Sequence, residues 1–267
     1  MKTDKLKERL RRFWDGHQPY WESLASETST LSPHRQKPFR FIPDGAKVLE
    51  VGCGNGANGR WLSERTQYVG IDISITALRQ AICRPVALIC GDAENLPFRD
   101  EAFDVVIATY TLEHLVNPKL GLQEMYRVSR PGGRIVLLGP SWDFPWWFPN
   151  SLRSRASRKW WRLIYTIRRF VGQMRGWLIG QLPFLVIDNP DVFTTGYTYD
   201  DEDAVYVVWT YEVIEFLCQM GCRLCHWEVD DRLLGTHPAV RLLKTLLLRL
   251  PPYRYAGSTL LLVFEKR

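Results

Sequence analysis

Between Phe144 and Ile187 the chain contains no aspartate and no glutamate. The same stretch holds eight cations, Arg153, Arg155, Arg158, Lys159, Arg162, Arg168, Arg169 and Arg175. They exceed the net charge of +6, so the remainder of the chain is slightly acidic. No run reaches eighteen apolar residues, which excludes a membrane-spanning helix from the expectation. The opening MKTDKLKERLRRFW is charged throughout, unlike a secretory leader. These two absences make the cytoplasm the expected location. Cysteine is sparse and scattered: Cys53, Cys83, Cys90, Cys218, Cys222 and Cys225 fit reduced, mostly buried thiols better than a disulfide framework. With 46% hydrophobic and 24% charged residues, 267 residues suffice for one large domain, or for one domain with an elaborate insertion.

What is present is organised around Val48-Leu49-Glu50-Val51-Gly52-Cys53-Gly54-Asn55-Gly56. Residues 47–51 read as a buried strand, followed by a glycine turn and a helix over 57–65. Glycine tolerates positive φ and lets a ligand approach with no Cβ in the way. The helix start offers free N–H groups and a positive dipole end to an anion. Gly52-x-Gly54-x-x-Ala57, with Asp72 twenty residues beyond Gly52, satisfies a dinucleotide fingerprint. The same donors and the same acid suit S-adenosylmethionine. The loop alone leaves both cofactors open.

A regular alternation continues from there. Strands are expected at 68–72, 86–90, 103–108 and 134–139, with helices over 75–83 and 117–129. Strands separated by helices of this length imply a parallel sheet, whose ligands sit at the carboxyl ends of the strands. Gly52 to Gly56, Asp72, Asp92 and the stretch Thr109 to His114 all fall at such ends. Ahead of this region, residues 4–30 read as one or two helices carrying Leu6, Leu10, Phe13 and Trp14 at helical spacing. They serve either as a lid over the site or as packing on the sheet. The polar stretch 26–38 reads as a linker.

Five blocks then stand in order: Glu50-Val51-Gly52-Cys53-Gly54-Asn55-Gly56, Gly70-Ile71-Asp72, Gly91-Asp92-Ala93-Glu94-Asn95-Leu96-Pro97-Phe98, Leu112-Glu113-His114 and Arg130-Pro131-Gly132-Gly133. Over roughly residues 45–139 the chain resembles the class I S-adenosylmethionine-dependent methyltransferases, in particular the branch of the quinone-biosynthesis enzymes. The resemblance decides against the dinucleotide. It implies an α/β fold: a Rossmann-like, seven-stranded, mostly parallel sheet with an antiparallel last strand, plus a helical insertion after strand five. It also implies that Gly52, Gly54 and Gly56 hold the methionine part of the cofactor, with Glu50 holding the loop or the amino group. Asp72 would accept from the ribose hydroxyls, Ile73 would touch the adenine face, Asp92 and Ala93 would meet the adenine edge, and Thr109 would complete the cofactor wall. Asp72 and Asp92 also suit simple helix caps.

Methyl transfer needs the acceptor held in line with the sulfonium, and a base where the acceptor must lose a proton. His114 is the candidate, since it follows strand four and titrates near neutrality. The alternative is a histidine hydrogen-bonded to backbone at a helix start. Related quinone O-methyltransferases carry Glu-x-x-Glu-His here, whereas this chain has Tyr110 in place of the first glutamate. One carboxylate and one imidazole are too few for a metal site, so none is expected.

Six of the eleven tryptophans fall between Trp142 and Trp177. On a helix from about residue 156, Trp160, Ile164, Ile167, Val171, Met174 and Leu178 share one face, and Arg155, Arg158, Arg162, Thr166, Arg169 and Gln173 the other. This is the composition of an interfacial membrane helix. A lid packing its apolar face on the protein is the second reading and an RNA-binding patch the third; nucleic acid is disfavoured because it does not require so continuous an apolar stripe. The expected organisation is an N-terminal helical segment (1–40), a methyltransferase domain (41–139 and 204–267) and a basic insertion (140–203). Expected partners are a lipid-like or small-molecule acceptor and a membrane surface met through residues 144–187, giving a cytoplasmic, peripheral membrane protein. The oligomeric state is open.

The tail holds an acidic, turn-rich segment with Asp200-Asp201-Glu202-Asp203, read as solvated. It also holds a helix over 210–220, strand six at 223–229, a short apolar-basic helix over 238–250 and strand seven at 258–264, expected at the sheet's edge. Cys218-x-x-x-Cys222-x-x-Cys225 has the spacing of an iron–sulfur triad, but it straddles a helix end and a strand, so its thiols should not converge. Leu250-Pro251-Pro252-Tyr253 lacks the polar first residue of an amino-methylating loop.

Overall fold

The structure, a computed structural model, describes residues 2–17, 33–80, 87–230 and 237–267. Seven strands form one sheet: β1 (Lys47–Val51), β2 (Gln67–Asp72), β3 (Ala87–Cys90), β4 (Phe103–Thr109), β5 (Ser129–Pro140), β6 (Cys222–Asp230) and β7 (Thr259–Lys266). They lie in the order β3-β2-β1-β4-β5-β7-β6. Pairing is parallel from β3 across to β5 and antiparallel on both sides of β7. Val48, Leu49 and Val51 in β1 and Val105 to Ala108 in β4 are all buried. Such strands, covered on both faces, read in sequence as continuous apolar runs.

Strand seven departs from expectation. It lies between β5 and β6, with Leu262 opposite Leu137 on one side and Trp227 on the other. Leu260 to Phe264 are buried without a break, whereas β6 is largely half-exposed. The more apolar strand takes the interior and β6 forms the edge. The expected helix over 57–65 shrinks to one turn, Gly59–Leu62, because glycine and asparagine at 54–56 and 58–59 are poor helix formers.

Among the described residues five helices have ten residues or more: α1 (Lys2–Gly16), α2 (Pro118–Val128), α3 (Lys159–Ile179), α4 (Thr210–Gln219) and α5 (Pro238–Leu247). α1 buries Leu6, Leu10 and Trp14 against Ala77, Val116 and Val205. The continuation expected around Tyr20, Trp21 and Leu24 lies outside the described residues. In the expected linker, Pro33–Gln36 form a helical turn and Lys37–Phe41 a 3-10 segment with Pro38 buried. Of the described cysteines, Cys53 and Cys222 are buried, while Cys90, Cys218 and Cys225 are exposed, so the thiols are not mostly buried.

Beyond β5 the chain is pinned by a buried carboxylate. Asp143 accepts from the backbone and hydroxyl of Thr210, from Ser141 Oγ and from the Gly257 amide. It thereby joins the start of the insertion to its return and to the approach of β7. α3 lies the opposite way round from a lid. The C-terminal part of its polar row faces the protein, while Arg158 and Arg162 stay exposed: Arg169 donates to the Trp147 carbonyl, and Gln173 bridges the Asp143 carbonyl and the Tyr253 hydroxyl. Gly176 allows Trp209 to approach closely. Its apolar row faces outward, with Trp160 78%, Ile167 54% and Leu178 67% exposed. α5 repeats the inversion, burying Lys244 over the rings of Phe144 and Trp147 and leaving Leu242, Leu243 and Leu246 exposed. Among the described residues no helix is long and apolar enough to cross a membrane.

Candidate active site

β1 and β4 are neighbours whose outer partners run away in opposite directions, so a crevice opens beyond their carboxyl ends. A cavity of about 410 Å³ occupies it, within the ~300–1,000 Å³ range of small-molecule sites. Every sequence-predicted site residue but one, Gly56, lines it: Glu50, Gly52, Gly54, Asp72, Ile73, Asp92, Ala93, Thr109 and His114.

Gly52, Gly54 and Gly56 all have positive φ, and a Cβ on Gly52 would overlap the Thr111 side chain. The loop amides are already engaged. Those of Gly52 and Cys53 donate to the Ile71 carbonyl, that of Gly54 to Asp72 Oδ2 at 2.8 Å, and that of Gly56 to the Cys53 carbonyl. Glu50 ties the loop to its surroundings by accepting from Asn58 Nδ2, the Tyr68 hydroxyl and Thr109 Oγ1. Burial pushes its carboxyl up to about 7, against the pull of those hydrogen bonds.

Asp72 holds two amides, one per oxygen, that of Gly54 and that of Ser74 at 2.8 Å. An ionised carboxylate has about four acceptor sites, so each oxygen keeps one for a further donor. Asp92 is in place at the far end, but Lys7 from α1 meets it at 2.7 Å and Glu94 at 2.6 Å. α1 therefore closes the crevice as well as packing on the fold, with Leu10 and Trp14 in the cavity wall. Positive-φ glycines, a paired acid with free lone pairs and a cavity of this size fit an adenosyl cofactor.

The opposite wall was legible in sequence only at His114. His114, at the end of the 3-10 turn Leu112–His114, has Nδ1 3.6 Å from Asp203 Oδ2 and Nε2 3.9 Å from Glu113 Oε1. Burial alone would lower its pKa, but the charges of Asp203, Glu113 and Asp201 outweigh it and raise the pKa above the ordinary imidazole value. The acidic run is solvated only at Asp200: Glu202 and Asp203 are buried, and Asp201 lines the cavity with its carboxyl pushed up to about 6 by burial. A signal existed, since Asp203 immediately precedes the apolar run Ala204 to Trp209, all of it buried. Among the described residues no group of three or more His, Cys, Asp or Glu side chains could hold a metal ion.

A family model described as a methyltransferase domain matches residues 49–137. A demethylmenaquinone methyltransferase of Corynebacterium urealyticum is 43% identical over 97 residues, 36% of this chain and 42% of that protein. Residues 49–137 are thus a methyltransferase domain by similarity. A rice protein named "Probable tocopherol O-methyltransferase, chloroplastic" is 30% identical over 168 residues, 50% of this chain and 46% of that one. The chain thus spans less than half the length of these relatives. An S-adenosylmethionine-dependent methyltransferase structure from Mesorhizobium loti superposes with a TM-score of 0.55 at 16% identity, covering 88% of this chain and 98% of that one. One from Thermotoga maritima gives 0.55 at 16%, covering 97% and 100%. At this identity the likeness is one of fold, and it extends beyond the methyltransferase domain.

Glu113 gives this domain a pH signature. It is buried, its Oε2 has no hydrogen-bond partner, and burial, partly offset by His114, pushes its carboxyl up to about 8. A carboxyl raised in the folded state stabilises the fold fully below its unfolded pKa of about 4.5, and that contribution is lost as pH rises through about 8. Glu50 carries the same sign. Glu113→Gln removes the higher of the two titrations. Its melting temperature should differ little from that of the parent at pH 5 and exceed it by several degrees at pH 9, as followed by thermal denaturation at both pH values.

Proposed function

We propose that this chain is an S-adenosylmethionine-dependent methyltransferase that lies on a membrane surface and methylates a lipid-linked or isoprenoid-type acceptor, such as a quinone precursor. The observation that carries the reading is the inverted α3, which turns its apolar stripe outward beside exposed Arg158, Arg162, Arg168 and Arg175. Support also comes from relatives whose names specify demethylmenaquinone and tocopherol. Interfacial helices combine such a stripe with basic residues, each adding about 1 kcal/mol near an anionic leaflet.

When bound, the cofactor supplies an electrophilic methyl whose carbon–sulfur bonding pair leaves with the sulfur. In this reading the loop Gly52–Gly56, secured by Glu50 and Thr109, shapes the methionine subsite, and Asp72 accepts from the ribose. Ile73 lies against the adenine face, while Asp92 and Ala93 meet its edge, with Lys7 sharing the Asp92 carboxylate. His114 takes the proton of the acceptor hydroxyl as the oxygen lone pair attacks, and the imidazolium so formed is stabilised by the surrounding carboxylates. His114→Ala should lower turnover at least tenfold with cofactor affinity kept; unchanged turnover at saturating acceptor would remove the histidine from the chemistry.

The substrate class is tested by incubating the protein with methyl-labelled cofactor and a total membrane lipid extract. Label is expected in the organic phase, on a prenyl-lipid fraction. Label confined to the aqueous phase would instead indicate a small-molecule or sugar acceptor, and cofactor binding without any labelling would indicate a non-catalytic partner subunit.

A further inference from the structure

Three distant segments meet at the imidazole of His114. α1 brings Trp14, the end of β4 brings Glu113 and His114, and the return of the insertion brings Asp203. The Trp14 indole N–H donates to Asp203 Oδ2 at 2.9 Å, and its ring stands edge-on to the imidazole with centroids 5.6 Å apart. Asp203 Oδ2 also lies 3.6 Å from the buried Nδ1, a nitrogen with no hydrogen-bond partner. The backbone fixes this arrangement, because the amides of Val205 and Tyr206 both donate, at 2.8 Å, to the carbonyl of Glu113, the residue before the histidine. A buried carboxylate braced by a tryptophan donor, on a segment tied by two backbone hydrogen bonds to the residue before the histidine, has little freedom to turn away.

We infer that Asp203, braced by Trp14, is a positioning residue for His114: it holds the imidazole through Nδ1 and so makes Nε2 the basic nitrogen. The inference rests on the proposed role of His114 as base. A neutral imidazole carries its single proton on one nitrogen, and an acceptor carboxylate beside Nδ1 selects the tautomer protonated there. The acceptor's proton then goes to Nε2, and the charge that develops on the ring faces Asp203. Shortening the 3.6 Å separation to a hydrogen bond needs only a small ring movement, as is common when catalytic contacts tighten on substrate binding. Other titratable groups around the ring are Glu113 and Asp201, with Asp72 across the cavity; Tyr197, Asp200 and the cations Arg35 and Lys7 also line the cavity.

The test uses the full chain labelled at histidine, with Asp203→Asn, Trp14→Phe and His114→Ala variants. Ring nitrogen NMR shifts report tautomer and titration without cofactor or acceptor, and turnover is measured against pH with label transfer. Asp203→Asn should lower the His114 pKa, move the acid limb of kcat to lower pH and reduce the plateau about ten- to a hundredfold, with KM for the cofactor unchanged within about twofold. Trp14→Phe keeps the ring packing but removes the brace, so it should reduce the share of the Nδ1-protonated tautomer and the plateau kcat. If Asp203→Asn does not fold, the Trp14→Phe tautomer shift decides. An unaltered tautomer in Trp14→Phe together with an unmoved acid limb in a folded Asp203→Asn overturns the inference. Full activity of His114→Ala would instead overturn the base assignment, which the tautomer measurement does not depend on.

Discussion

Replacing Asp72 with alanine is expected to weaken S-adenosylmethionine binding at least a hundredfold, measured by calorimetry on the purified chain. Two losses combine. The proposed ribose acceptor disappears, and the Gly54 and Ser74 amides that its two oxygens hold at 2.8 Å are released. Hydrogen bonds to a charged group contribute about 1.5–3 kcal/mol each, and ~1.4 kcal/mol is a factor of ten in affinity. Two ribose bonds alone therefore account for at least a hundredfold, before any cost of a loosened loop. Asp72→Asn keeps one acceptor oxygen and should fall between the two. A change below about fivefold in the alanine variant would move the ribose away from Asp72 and with it the orientation of the cofactor in the crevice.

The second large effect concerns the outer face of α3. Ile164, Ile167 and Val171 are all about half exposed, on the stripe that points away from the sheet. Burying the exposed half of each such side chain contributes about 1 kcal/mol. Replacing all three with aspartate removes that gain and adds three charges that an anionic leaflet repels. Binding to vesicles containing anionic lipid should fall below detection in co-sedimentation, while the melting temperature in plain buffer and methylation of a short-chain, water-soluble acceptor analogue stay near the parent's. No binding by the parent to either neutral or anionic vesicles would sink the membrane reading.

Much of this architecture was legible because it is local. Strand, glycine turn and acid at a fixed distance follow from the periodicity and chirality of the chain, and residues 47–56 with Asp72 lie where their pattern puts them. The failures have a common physical origin in relations between distant residues. The place of β7 depends on competition with β6 for the apolar interior, which no pattern within either strand expresses. The acids at 200–203 look like a solvated turn, but the buried run Ala204 to Trp209 draws Glu202 and Asp203 under the surface, with Asp203 beside His114. For α3 both faces were identified and the membrane reading put the apolar one outward, but the lid reading needed the reverse, since an amphipathic stripe states that two environments exist, not which one is the protein. Arg169 and Gln173 went inside because the Trp147 and Asp143 carbonyls and the Tyr253 hydroxyl there needed partners.

That choice has a consequence for how the surface works. In many amphipathic segments the apolar face is sheltered in water and must be released, by unfolding or rotation, before it can meet lipid. Here the guanidinium of Arg169 and the ammonium of Lys244 are already bonded or stacked within the body, and the hydrocarbon is already outside. No internal contact has to break. Under the proposed membrane reading, arrival at a bilayer would be a rigid-body encounter, governed by diffusion and by the pull of the exposed arginines, and departure would leave the fold as it was.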